Sequence, residues 1–219
     1  RDRDVTGVQT CALPICLDQD GKTFPFGFFG ESNPFWMTVL RASHGNVDRI
    51  RLCPSTREDP KLNMANSNAP PDGSLWGSSK VAWWGGRTTF IRGNSGSYGL
   101  NGWLYLDRSH PKSPNGQWNY LRLDQIEHVS KVPIFADCNW VDGWPEVGDP
   151  FPGNLATGAT SGGFGNNLGR FMMSRHGNAT DVVLDDGHVE SPRLERMWSF
   201  YWHREWVPKE FVPSKATIR

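Results

Sequence analysis

The chain has 219 residues, and its 23 Lys+Arg against 23 Asp+Glu exclude the basic stripe by which nucleic-acid binders hold phosphate. The length suits one domain, or two small ones at most, and 37% hydrophobic residues can supply a core. No apolar run approaches the ~18 residues of a membrane helix, while 24 Gly and 16 Pro divide the sequence into short elements and loops.

Residues 1–16 stand apart. Val5 to Ile15, VTGVQTCALPI, reads codon by codon as the translation of a common sequencing adapter, whose last T also begins a codon for Cys16. Residues 1–16 are therefore expected to be a disordered, adapter-derived artefact, and residues 17–219 a single domain. On that expectation the native N-terminus is lost, and the absence of a leader here says nothing of the natural protein. The segment carries two Arg and two Asp, so the charge balance is the same without it.

Leu17 to Pro25 is a polar turn whose Asp18, Asp20 and Gly21 lack the later ligands of a calcium loop. Asn33-Pro34 opens a helix, with Asn as N-cap and Pro at the first helical position. Phe35, Trp36, Val39 and Leu40 share one face of it, and Gly45 ends it. A short strand is predicted over Arg49 to Leu52, running into Cys53-Pro54. Ser55 to Lys80, rich in Pro, Asn and Ser, reads as a long surface loop. Ala82 to Ile91 and Ser97 to Leu106 have the aromatic and β-branched content of strands. A loop over Ser109 to Gln117, a short helix over Leu123 to Val129 and a strand over Val132 to Asp137 follow. Asn139 to Asn167 has no regular period and reads as a second long loop.

Arg175 to Glu190, RHGNATDVVLDDGHVE, is the clearest local element. Val182-Val183-Leu184 leads into Asp186-Gly187 and His188-Val189-Glu190 leads out, which predicts a hairpin with a type I′ turn. Ser191-Pro192 then starts a helix whose face is Leu194, Met197, Trp198, Tyr201 and Trp202, ended by Pro208. The expected fold class is α+β: a small antiparallel sheet, short helices and two long loops.

Four groups of residues are candidates for chemistry or binding. His176 with Asp185, Asp186 and His188 has residue types that suit zinc, although the spacing matches no ligand pattern. The alternative is a structural role, with the His176 ring bonded across the hairpin or to a loop carbonyl. Asp137, Asp142, Glu146 and Asp149 offer oxygen ligands for calcium, against a solvated acidic loop as the plainer account. Cys53 and Cys138 end predicted strands and are either a disulfide, in an oxidising compartment, or two buried thiols. Trp83, Trp84, Trp140 and Trp144 are candidate surface aromatics for a sugar or a partner. No nucleophile elbow, zinc-protease helix, P-loop or dinucleotide fingerprint occurs, so no catalytic residue is assigned.

His176 followed by nine residues and Asp186-Gly187 resembles the C-terminal motif of prepilin-type proteins with the processing-associated H-x9-DG domain. Phe24-Pro25, Leu52-Cys53-Pro54, Ser97-Tyr98-Gly99-Leu100-Asn101, Val132 to Asp137 and the Trp-rich Leu194 to His203 resemble further family stretches in the family's order. The resemblance covers about residues 17 to 207. It implies a pseudopilin-like head with a small antiparallel sheet, and a non-enzymatic subunit of a type II secretion or type IV pilus-like system. The family's leader and long apolar helix are missing here, and the adapter junction accounts for that. The implied intact precursor is anchored in the inner membrane by that helix, with its head in the periplasm or at the cell surface. The implied partners are other pilin-like subunits or secretion components, with no nucleic acid. No cofactor is implied, calcium remaining the residue-level candidate. Two other readings stay open: an exported carbohydrate- or matrix-binding module using Trp140 and Trp144, and a metal-dependent enzyme around His176 and His188.

Overall fold

The computed structural model describes residues 36–37, 40, 50–59, 61, 64–65, 75–86, 94–106, 111–161 and 165–211. The adapter-like segment, the Leu17 to Pro25 turn and the Asn33-Pro34 helix start lie outside them. The strands among the described residues are β1 (Met64–Ala65), β2 (Leu75–Trp76), β3 (Trp83–Trp84), β4 (Ser95–Gly96), β5 (Tyr98–Asn101), β6 (Pro133–Asp137), β7 (Asp142–Gly143), β8 (Val182–Leu184) and β9 (Val189–Glu190). They form two sheets. One is antiparallel, in the order β1-β2-β3-β4; the other is ordered β7-β5-β6-β8-β9 and is antiparallel except where β5 pairs in parallel with β7.

Every residue of β6 is buried, as expected of an apolar strand lying between two others and covered on both faces. Pro133 has no N–H to give the ladder and stands at the strand's first position, where that loss is tolerated, and the register with β8 shifts between Pro133 and Phe135. Ser97 alone separates β4 from β5, so the chain steps from one sheet to the other at this residue. Its N–H bonds Arg51 O at 2.9 Å and its carbonyl accepts Cys138 N–H at 2.8 Å.

The helical content is low. Trp36, Met37, Leu40 and Ile50 are in α-helical conformation, and six 3-10 helices are described, from Gly102–Leu104 to Leu194–Ser199. Among the described residues no helix is long and apolar enough to cross a membrane.

Several expected elements differ. Ile50 is helical and Arg51 and Leu52 form a bend, so no strand runs over 50–52. The expected loop of residues 55–80 contains β1 and β2, and Trp76 within it is buried. The expected strand over Ser97 to Leu106 ends at Asn101, whose side chain accepts Trp103 N–H and caps the helix Gly102–Leu104. The C-terminal helix is a 3-10 helix that stops at Ser199, because Tyr201 N–H is drawn out to Lys131 O at 2.9 Å. Leu194, Met197 and Trp198 are buried in the helix as predicted, while Trp202 is buried from an extended segment.

The hairpin turn also differs. Gly187 N–H bonds Leu184 O at 2.8 Å and Leu184 N–H bonds His188 O at 3.0 Å, which closes a three-residue loop, Asp185-Asp186-Gly187. Only Gly187 of the three has positive φ, at 87°. A type I′ turn needs two such residues; this arrangement is that of a turn followed by a left-handed glycine bulge.

The core is aromatic. Trp103, Trp198, Trp202, Phe171 and Phe200 are fully buried around β5, β6 and β8. Phe171 lies 4.9 Å from Trp202, and Trp118 stacks on His203 at 4.6 Å between ring centres. Several indole N–H groups find backbone carbonyls, Trp36 bonding Val141 O, Trp103 Pro145 O, Trp202 Met197 O and Trp206 Trp198 O, whereas the buried Trp198 indole N–H has no such partner among the described residues. Burying an indole with its N–H satisfied keeps its large apolar area without a desolvation cost, so the tryptophans serve as core and as tethers for loops.

Candidate functional site

Asp137 ends β6, and its carboxylate is the centre of a buried polar cluster. Asp137 Oδ1 accepts Arg175 Nη1 at 2.7 Å, with both side chains fully buried. Arg175 is fixed by three carbonyls: Ser97 O at 2.5 Å, Ser78 O at 2.9 Å and Cys138 O at 3.5 Å. Asp137 Oδ2 accepts Asp181 N–H at 2.9 Å, and Asp137 N–H returns a bond to Asp181 O at 3.0 Å. A charged pair with every oxygen engaged withstands burial that an isolated carboxylate would not. Burial by itself would raise the Asp137 carboxyl, but the Arg175 charge and the His176 and Asp181 hydrogen bonds outweigh it and hold the group below its ordinary value.

His176 enters the cluster by one nitrogen. Its Nε2 lies 3.2 Å from Asp137 Oδ2, 3.3 Å from Asp181 Oδ2 and 3.5 Å from Cys53 Sγ. Hydrogen bonding to Asp137 and then to Cys53, against the opposing effect of burial, lifts the imidazole to about 10. Tyr98, which pairs with Asp137 across β5 and β6, is pushed far up by burial and by the Asp137 charge. Cys53 itself is 2% exposed; its Sγ accepts Ser55 N–H at 3.4 Å, and Thr56 N–H bonds its carbonyl. A catalytic Cys–His–Asp relay uses the two ring nitrogens separately, one for the thiol and one for the carboxylate. Here Nε2 faces both, which is not the geometry of such a relay.

His176 bonds Asp137 and Asp181, and not Asp186 across the hairpin. Asp186 Oδ1 instead lies 2.5 Å from His188 Nδ1, whose ring also approaches Glu190 at 3.3 Å on the outer side of the turn. The two histidines thus have separate partners and do not make a shared metal pair. Asp185 is held apart as well, raised to about 7 by burial and by the Asp186 charge.

The acidic quartet is dispersed. Asp137 belongs to the Arg175 cluster; Asp142 is buried, accepts Tyr105 Oη–H at 3.2 Å and is raised by burial to about 7. Asp149 Oδ2 accepts the N–H groups of Glu146 and Leu168, and Glu146 pairs with Lys112 at 2.7 Å. Each carboxylate has its own local partner, so the four do not form a calcium cradle. Cys53 and Cys138 are both buried and free; Cys138 Sγ accepts Trp140 N–H and burial pushes its thiol up to about 12. Three of the four candidate surface tryptophans, Trp83, Trp140 and Trp144, are buried in the core, and Trp84 is half-buried.

Sequence reasoning missed Arg175, Asp181 and the pairing of Cys53 with His176. One signal was present: an aspartate ending an otherwise apolar buried strand needs a cation, and Arg175 stands beside the motif histidine. No family model, no curated protein and no solved structure matches the chain.

Proposed function

We propose that the protein is a non-enzymatic, pseudopilin-like head domain of a cell-envelope subunit, of the type II secretion or type IV pilus-like kind. The observation that carries this reading is the use made of the spaced motif. His176 ties the loop before β8 to Asp137 and Asp181, and Gly187 turns the hairpin, so the motif residues build the fold. A motif that staples one end of a sheet suits a subunit whose surface, rather than a reacting centre, meets its partners. Other pilin-like subunits or secretion components are the partners, and an apolar helix upstream anchors the precursor in the inner membrane.

Recovery of the upstream reading frame tests this. The expected result is a short basic leader, a processing site and a long apolar helix, with the full-length product in the inner-membrane fraction. A cytosolic N-terminal domain, without leader or apolar helix, overturns it.

A further inference from the structure

We propose that Cys53, Asp137 and His176 hold a zinc ion, its fourth position left to solvent. Cys53 Sγ, an Asp137 oxygen and a His176 ring nitrogen lie within 4.8 Å of one another and are the one such trio among the described residues. A ring nitrogen carries at most one hydrogen, yet Nε2 faces a sulfur and two carboxylate oxygens, of Asp137 and Asp181. Convergence of more lone pairs than hydrogens is the arrangement a cation resolves.

The separations from the ring nitrogen fit such an ion. Zinc bonds of ~2.0–2.1 Å to nitrogen and oxygen and ~2.3 Å to sulfur, at tetrahedral angles, place nitrogen ~3.3 Å from oxygen and ~3.6 Å from sulfur. From the ring nitrogen the observed values are 3.2 Å to Asp137 Oδ2 and 3.5 Å to Cys53 Sγ, and the three ligand atoms lie within 4.8 Å of one another. The charges fit too. Zinc(II) and the Arg175 guanidinium are offset by the Cys53 thiolate, Asp137 and the nearby Asp181, the Cys53 thiol proton and the His176 Nε2 proton both leaving to solvent on binding. Thiolate with imidazole selects zinc over calcium or magnesium, which prefer all-oxygen shells.

An outer shell already orients the ligands. Arg175 holds the far oxygen of Asp137, Asp181 N–H holds the near one, and Ser55 N–H points at Cys53 Sγ. Such partners fix ligand geometry around bound metals. The His176 and Asp181 side chains are 12% and 26% exposed, which leaves an entry path on their side of an otherwise buried group. The inference is independent of the envelope reading, since a structural ion is compatible with any function of the domain.

The test uses the full chain, reduced and metal-stripped, titrated with zinc chloride and separately with cobalt(II) chloride. One equivalent of zinc is expected to bind, with a rise in Tm. Cobalt is expected to give intense tetrahedral visible bands and a near-ultraviolet sulfur-to-cobalt band. Cys53→Ser should remove the sulfur band and weaken zinc binding at least about 100-fold, and Asp181→Asn should weaken it about 10-fold. Cys11→Ser with Cys16→Ser should leave the band in place, with circular dichroism confirming that each variant folds. Absence of stoichiometric binding by the folded, reduced protein overturns the proposal and leaves a protonated His176 as the clasp. A cobalt spectrum that Cys53→Ser does not change overturns it equally. Neither result bears on the upstream reading frame, so the two proposals fail separately.

Discussion

Arg175 donates to Asp137 at 2.7 Å, and the same guanidinium bonds Ser78 O and Ser97 O, so one side chain joins the loop of the first sheet, the step between the sheets and the end of β6. Arg175→Met leaves Asp137 buried without its cation, an arrangement that costs about 3–5 kcal/mol. Arg175→Met with Asp137→Asn should be less harmful than the sum of the single changes, because the stranded charge is gone. Urea unfolding of the four species measures the coupling; strict additivity would show that the pair is not a unit.

Gly102 is a contact glycine. A Cβ placed there would stand 2.5 Å from the Trp144 ring. Gly102→Ala should destabilise by about 1–3 kcal/mol through overpacking. Trp144→Phe, with a smaller ring, should recover part of the loss in the double variant. A Tm for Gly102→Ala within error of the parent would contradict the packing.

Trp140 and Trp144 are core residues, so truncating either to Ala should cost about 3–5 kcal/mol. Surface aromatics would cost no more than about 0.5 kcal/mol. Thermal unfolding separates the two, and a small shift would return these residues to the list of surface contacts.

His203 is buried among Trp103, Trp118 and Trp206, and burial lowers it from 6.5 to about 4. As pH falls, the unfolded chain takes the proton first, so stability declines between 6.5 and about 4 and levels off below. His203→Phe keeps a ring in the stack and should abolish this decline, which amounts to about 3 kcal/mol. A pH series of urea midpoints that keeps the same slope in the variant would refute the assignment.

Asp142 acts in the opposite direction. Burial lifts it from 3.8 to about 7, so the folded state keeps a proton that the unfolded state gives up, and stability falls as pH rises across that window. Asp142→Asn still accepts from Tyr105 and should stabilise the protein at pH 8, by about 2–4 kcal/mol, with little effect at pH 4. Equal changes at both pH values would mean that its ionisation is not coupled to folding.

The elements legible in the sequence are those whose environment is one-sided. Val132 to Asp137 reads as a strand because it is apolar up to its last residue, and it is buried throughout. Leu194, Met197 and Trp198 read as one helix face, yet spacings of three and four over so short a run do not separate 3-10 from α. The Asp186-Gly187 turn was visible, but its type depended on Asp185 joining the loop, which hydrogen bonding decides and residue identity does not. His176 stood out; its partners did not, because Asp137, Asp181 and Cys53 are brought to it by strand pairing and chain path. The tryptophans misled because indoles beside glycines look exposed, whereas glycine here admits the ring, as Gly102 does for Trp144.

The closing bonds have a kinetic consequence. Trp36 reaches Val141 across 105 residues, Cys53 reaches His176 across 123, and Asn101 reaches Trp202 O across 101. Each needs a large loop closed before its contact rewards the ordering, which makes folding slow. During synthesis the first half of the chain emerges with its aromatic surfaces unpartnered and stays so until Trp202 has cleared the ribosome. Chains that must wait for distant partners in this way are more open to aggregation and proteolysis before they fold.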